Sequence, residues 1–111
     1  MKVAVIGSRD FNDYERLKKV LNNINVTHII SGGARGADRL GERYADENGI
    51  PKTIYIPDWD KYGKGAGFIR NQLIIDDAEL VVVFWDGKSN GTRDSMKKAH
   101  KQRKEIYILY F

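Results

Sequence analysis

Three short segments of this chain carry residue types that could hold an anion, and each follows an apolar run. The first is Gly7-Ser8-Arg9. Glycine lets the backbone turn tightly or approach a ligand, serine offers a hydroxyl, and arginine presents a rigid fork of donors that matches phosphate or carboxylate. An ordinary turn with a surface arginine has the same composition. The second, Ser31-Gly32-Gly33-Ala34-Arg35-Gly36-Ala37-Asp38, sets three glycines between a strand and a helix start. Bare N–H groups there can converge on one anion, and the helix dipole adds favourable potential. Arg35 could close over a phosphate, and Asp38 could bond a ribose hydroxyl or merely cap the helix. The third, Asp86-Gly87-Lys88-Ser89-Asn90-Gly91-Thr92, again opens a helix after a strand. It is either a second anion-binding geometry or a capped helix after a loop. Two such helix starts at one place suit a phosphate with its sugar better than a simple ion.

Other residues could serve the same place. Arg70-Asn71 reaches it if its helix begins near the same edge; otherwise Arg70 is a solvated helix arginine. Trp59, Tyr62 and Trp85 fall near expected strand ends, where each could stack on a base or pack the rim. His28 sits within a strand and reads as packed, and His100 lies on a basic helix. The run Lys97, Lys98, Lys101, Arg103, Lys104 falls in the last turns of that helix. Cations there complement the dipole, so it reads as a solvated face rather than a nucleic-acid patch.

These segments need a scaffold that brings them together, and the hydrophobic pattern supplies one. Val3 to Ile6 is apolar without alternation, as in a strand buried on both faces. Asn12 with Glu15 resembles a capping box, followed by Tyr14, Leu17, Val20, Leu21 and Ile24 at helical spacing. A second strand is expected at about Thr27 to Ser31, and a helix at about Gly36 to Asn48 with Ala37, Leu40, Tyr44 and Ala45 inward. Gly49 and Pro51 then stop the helix. A third strand covers about Lys52 to Ile56, an irregular stretch spans Pro57 to Gly67, and a helix carries Ile69, Leu73 and Ile74. The most apolar strand lies within Glu79 to Trp85, a last helix runs from about Gly91 to Arg103, and a strand spans Glu105 to Tyr110.

Five strands alternating with four helices predict a three-layer α/β domain of the Rossmann-like kind: a parallel sheet, order 3-2-1-4-5, with helices on both faces. Ligands in such sheets bind beyond the carboxyl ends of the strands, at the switch point between the first and fourth. The three segments fall at those ends.

Composition narrows the class further. With 111 residues and no linker-like stretch, the chain reads as one domain over residues 1–111. There is no cysteine, which excludes disulfides and cysteine-ligated zinc, and two histidines argue against a histidine-rich metal site. No bound cofactor or metal is expected. The first apolar run stops at Ile6, too short for a signal peptide or membrane span, so a cytoplasmic protein is expected. A net charge of +4 favours anionic partners only modestly.

With Asp58-Trp59, Ala66-Gly67, Arg70-Asn71 and Trp85-Asp86-Gly87 added to the three segments, the chain resembles the SLOG superfamily, named for the Smf/DprA and Lonely Guy proteins. The likeness is to its small YspA- and YpsA-related bacterial and phage members. The resemblance implies a Rossmann-like fold, a nucleotide or nucleotide-derived ligand and a homodimer or larger assembly. The superfamily's functions are mixed. The leading expectation is a module that senses, carries or sequesters a phosphorylated nucleoside, including ADP-ribose-like signals. The resemblance also implies two alternatives. One is a nucleoside 5′-monophosphate phosphoribohydrolase of the Lonely Guy type, with Asp38, Asp86 or Asp94 as its carboxylate. The other is single-stranded DNA binding of the DprA type. Lonely Guy enzymes place a glutamate three residues after the Gly-Thr threonine; after Gly91-Thr92 that position holds Ser95.

Overall fold

The computed structural model describes all residues, Met1–Phe111. Five strands form one sheet: β1 (Lys2–Gly7), β2 (His28–Ser31), β3 (Lys52–Ile54), β4 (Leu80–Trp85) and β5 (Glu105–Tyr110). Every pairing is parallel and the order is β3-β2-β1-β4-β5, the predicted order. Between them run α1 (Tyr14–Leu21), α2 (Ala37–Glu47), the single turn α3 (Trp59–Tyr62), α4 (Ala66–Asp77) and α5 (Asn90–Lys101). None of these helices is long and apolar enough to cross a membrane.

The pleat divides the core in two. Val3, Val5, Val82 and Phe84 point to one face and pack on Leu17 and Leu21 of α1 and on Tyr44 and Ala45 of α2. Ala4, Ile6, Val81 and Val83 point to the other, against Ile74 and Ile75 of α4 and Ala99 of α5. β1 and β4 are thus covered on both faces, which is why they read as unbroken apolar runs. Each fully buried aliphatic side chain stabilises the fold by roughly 1.5–3 kcal/mol.

Several local expectations shift. α1 is capped by Asp13, whose carboxylate accepts from the Arg16 N–H at 3.1 Å, not by Asn12. Both residues are good caps, and the helix starts where Tyr14 and Leu17 face the core. α1 ends at Leu21, and Ile24 packs against the core from beyond it. β3 ends at Ile54 rather than Ile56. The irregular stretch contains α3 and a 3-10 turn at Gly63–Gly65. Ile69 and Leu73 lie on the outward face of α4, while Asn71, Ile74 and Ile75 are buried. A helix apolar on both sides gives no periodic signal for which side faces in. His28 is half-buried, with Nε2 at 2.6 Å from the Thr53 hydroxyl.

Candidate functional site

β1 and β4 lie side by side, Gly7 opposite Phe84. Their chains then part to opposite faces of the sheet, toward α1 and α5. A crevice opens where they diverge. It holds a cavity of about 390 Å³, a size typical of small-ligand sites.

Gly7, Ser8 and Arg9 all line this cavity. From the second segment, Ala34 and Asp38 do so; from the third, Asp86, Ser89, Gly91 and Thr92. α4 adds Gly67, Arg70 and Asn71, and Trp59 stands at the rim, 57% exposed. Ser31, Gly32, Gly33, Arg35, Gly36 and Trp85 lie outside the lining. Ser31 is fully buried and bonds Glu42 on α2. Arg35 is largely in solvent, 3.8 Å from Asp10, beside a shallower depression that it shares with Arg9 and Arg39. The Trp85 indole donates to the Ser89 carbonyl at 3.2 Å and packs near Tyr110 and Arg93. Trp59 is therefore the tryptophan of this pair that borders the cavity.

The loops are stitched together by side chains. The Ser8 N–H donates to the Phe84 carbonyl at 2.8 Å, and its hydroxyl accepts from the Asp86 N–H at 3.0 Å. Arg70 donates to the Gly32 carbonyl at 2.6 Å and to Asn71 Oδ1 at 3.0 Å. Asn71 in turn donates to the Gly91 carbonyl at 3.3 Å and to Asp94 at 3.1 Å. Arg70 and Asn71 thus bridge the β2–α2 loop to the start of α5.

The two glycine-bearing loops use their N–H groups differently. Gly32 donates its N–H to Asp38 Oδ2 at 2.9 Å, and Gly33 donates to the Ser31 hydroxyl at 3.4 Å. A Cβ at Gly32 would sit 2.5 Å from Arg70 Nη1 and 2.8 Å from Asp38 Oδ2, so a side chain there would displace those two groups. Gly36 has φ +87° and packs under the β1 loop, where a Cβ would lie 2.3 Å from the Ser8 carbonyl oxygen. At α5, Ser89 caps the helix by accepting from Thr92, while the N–H groups of Asn90 and Gly91 have no partner in the chain.

Ionisation follows from these contacts. Burial is the main influence on Asp38 and pushes its pKa up to about 6, against the lowering effect of the Gly32 and Ala34 N–H groups and the Arg70 charge. Asp86 is held below the usual carboxylate range because it accepts from the Lys88 and Ser89 N–H groups. Asp94 lies outside the lining and is clamped by Lys98 Nζ at 2.5 Å.

Sequence reasoning did not single out Asp10, Ala34, Gly67 or Ser95 as lining residues. Ser95 had a signal: it lies three residues after Thr92, on the same face of α5. Gly67 opens space beside the Trp59 ring, 3.6 Å from where a Cβ would stand, and only the tertiary fold makes them neighbours.

A parallel sheet of this order, with its crevice at the switch point, defines a Rossmann-like fold. The family described as YspA, cpYpsA-related SLOG matches residues 1–62, and the chain belongs to it. It is 34% identical to the Gene 61 protein of Mycobacterium phage D29, over 90% of this chain and 89% of that one. The fold is similar to that of DNA processing protein A (DprA) from Streptococcus pneumoniae, with a TM-score of 0.81 at 22% identity. That likeness covers 96% of this chain and 49% of DprA, so the chain spans about half the length of that protein.

Proposed function

We propose that the cleft binds a nucleoside carrying one phosphate, and that the protein senses, carries or sequesters this ligand. The observation that carries the reading is the pair of uncommitted N–H groups at Asn90 and Gly91, opening α5 beside a cavity that Arg9 also lines. Donors at a helix start, its dipole and a guanidinium are the elements that hold a phosphate. Trp59 at the rim is suited to stack on a base.

Charge supports a single phosphate. The lining carries two arginines, Arg9 and Arg70, against three aspartates, Asp10, Asp38 and Asp86. A nucleic-acid backbone or a triphosphate calls for a net positive surface. Binding is favoured over N-glycosidic hydrolysis of the Lonely Guy type because the lining position three residues after Thr92 holds Ser95 rather than a glutamate, and Asp94 is committed to Lys98 and Asn71.

A thermal-shift panel tests this: nucleoside mono- and diphosphates, ADP-ribose, NAD, cyclic nucleotides and a short single-stranded DNA. A ligand at about a hundred times its dissociation constant shifts a domain of this size by on the order of 10 °C. The shift is expected with monophosphates, lost in Arg9→Ala and kept in Arg35→Ala. A flat panel overturns the reading. DNA affinity that falls steeply with salt replaces it with nucleic-acid binding, and release of free base replaces it with hydrolysis.

A homodimer is part of the same proposal. Ile69 and Leu73, one turn apart on the outer face of α4, are 39% and 47% exposed. Light scattering should report a dimer that Leu73→Glu dissociates; a monomeric parent protein removes this element.

A further inference from the structure

We propose that Asp38 reads the sugar of the bound nucleotide: its carboxylate accepts hydrogen bonds from the 2′- and 3′-hydroxyls, so the cleft selects ribonucleotides over their 2′-deoxy counterparts. This role rests on the cleft being a nucleotide site.

Asp38 is only 5% exposed and lines the cavity. It is the only aspartate of the lining that is buried; Asp10 and Asp86 are more exposed. It does not serve the simpler role of helix cap. The N-cap of α2 is Gly36, which has no capping side chain, and the Asp38 carboxylate reaches back to Gly32 instead. Nor is it neutralised by a direct ion pair. Arg70, the nearby cation, directs its hydrogen bonds to the Gly32 carbonyl and to Asn71, and no cation lies within 4.0 Å of Asp38.

What remains is acceptor capacity in a dry place. An ionised carboxylate has about four lone-pair sites, and among the chain's hydrogen bonds only the Gly32 N–H uses one of them. A ligand at this spot must therefore donate hydrogen bonds and must not be anionic. A vicinal diol meets both conditions with two O–H donors on adjacent carbons, and bonds to a charged acceptor are the stronger kind. The same carboxylate repels a phosphate, which places the phosphate toward Arg9 and the start of α5. A buried carboxylate that burial itself disfavours is maintained at a cost to stability, as happens at binding sites.

Removing the 2′-hydroxyl would leave one acceptor desolvated and unpaired, a loss of about 10- to 100-fold in affinity. The experiment is calorimetry with the four ribonucleoside 5′-monophosphates and their 2′-deoxy forms, on the parent protein and on Asp38→Asn. Asparagine keeps one acceptor for Gly32 but replaces the second oxygen with a donor. The expected result is a ribose preference of at least tenfold in the parent that collapses in Asp38→Asn, with affinity for the deoxy forms little changed. Equal binding of both sugar forms by the parent overturns the role of Asp38 and leaves the nucleotide site standing. A ribose preference that survives in Asp38→Asn also overturns it. No binding of any monophosphate, with the fold verified by thermal melting, overturns the nucleotide site itself.

Discussion

The loops after β2 and β4 look alike as sequence, both glycine-bearing and both leading into a helix, yet they are physically opposite. In the β2–α2 loop, the N–H of Gly32 is bound to the carboxylate of Asp38, an anion that the chain itself supplies, and that of Gly33 to the Ser31 hydroxyl. In the β4–α5 loop, the N–H groups of Asn90 and Gly91 are uncommitted. The first is closed and tightly packed at its β2 end, although its Arg35 and Gly36 N–H groups lack partners in the chain. The second is an open donor site beside the cavity. Glycine serves different ends in each: at Gly32 and Gly36 it makes room for neighbouring atoms, whereas a Cβ at Gly91 would meet nothing within 4 Å.

The largest effect should come from filling the closed loop. Gly36→Ala drives a Cβ into the Ser8 and Arg9 carbonyls at a positive φ, and should cost about 3 kcal/mol or more in denaturant unfolding. A small loss there would mean that the β1 and β2 loops are not locked together as the geometry requires.

Next is Asp38→Asn, whose effect depends on pH. The folded-state pKa of Asp38 is raised from 3.8 to about 6, so the folded state holds the proton more tightly than the unfolded chain does. That group's contribution is therefore most favourable below pH 4 and is lost as pH rises from about 4 to 6. Above that window its charge costs up to roughly 3 kcal/mol. Thermal melts should find Asp38→Asn more stable than the parent at pH 7.5 and nearly equal to it near pH 4. Asp76, Asp77 and Asp86 are shifted the other way and titrate below this window. A parent advantage at pH 7.5 would mean that the carboxylate is a net stabiliser of its loop.

Smaller effects belong to the open loop. Ser89→Ala removes the cap of α5 and should cost about 1 kcal/mol. Gly91→Ala should change stability by about 0.5 kcal/mol or less, since nothing occupies the space. If Gly91→Ala proved as damaging as Gly36→Ala, the contrast between the loops would fail.

The pattern of buried runs was readable because β1 and β4 bury both faces and leave no polar position to confuse the signal. The ends of elements were less readable. Asn12 and Asp13 are both good caps, and only the register of Leu17 on the core chooses Asp13. The placement of the arginines also departs from the expectation. Arg35 has the right type and sits in the most glycine-rich segment, but its side chain leaves toward Asp10, while Arg9 and Arg70 border the cavity.

By itself, the sequence determined the class of fold, the parallel order and the end of the sheet at which the crevice opens. Periodicity, glycine placement and the alternation of strands with helices are local properties, and local sterics together with strand twist convert them into topology. The tertiary structure decided which N–H groups are free, which arginines border the cavity and that Asp38 is buried with acceptor capacity to spare. Those depend on contacts across long separations, such as Arg70 with Gly32 and Ser8 with Asp86. No spacing along the chain encodes such contacts, because a side chain's partners are set by which elements pack beside it.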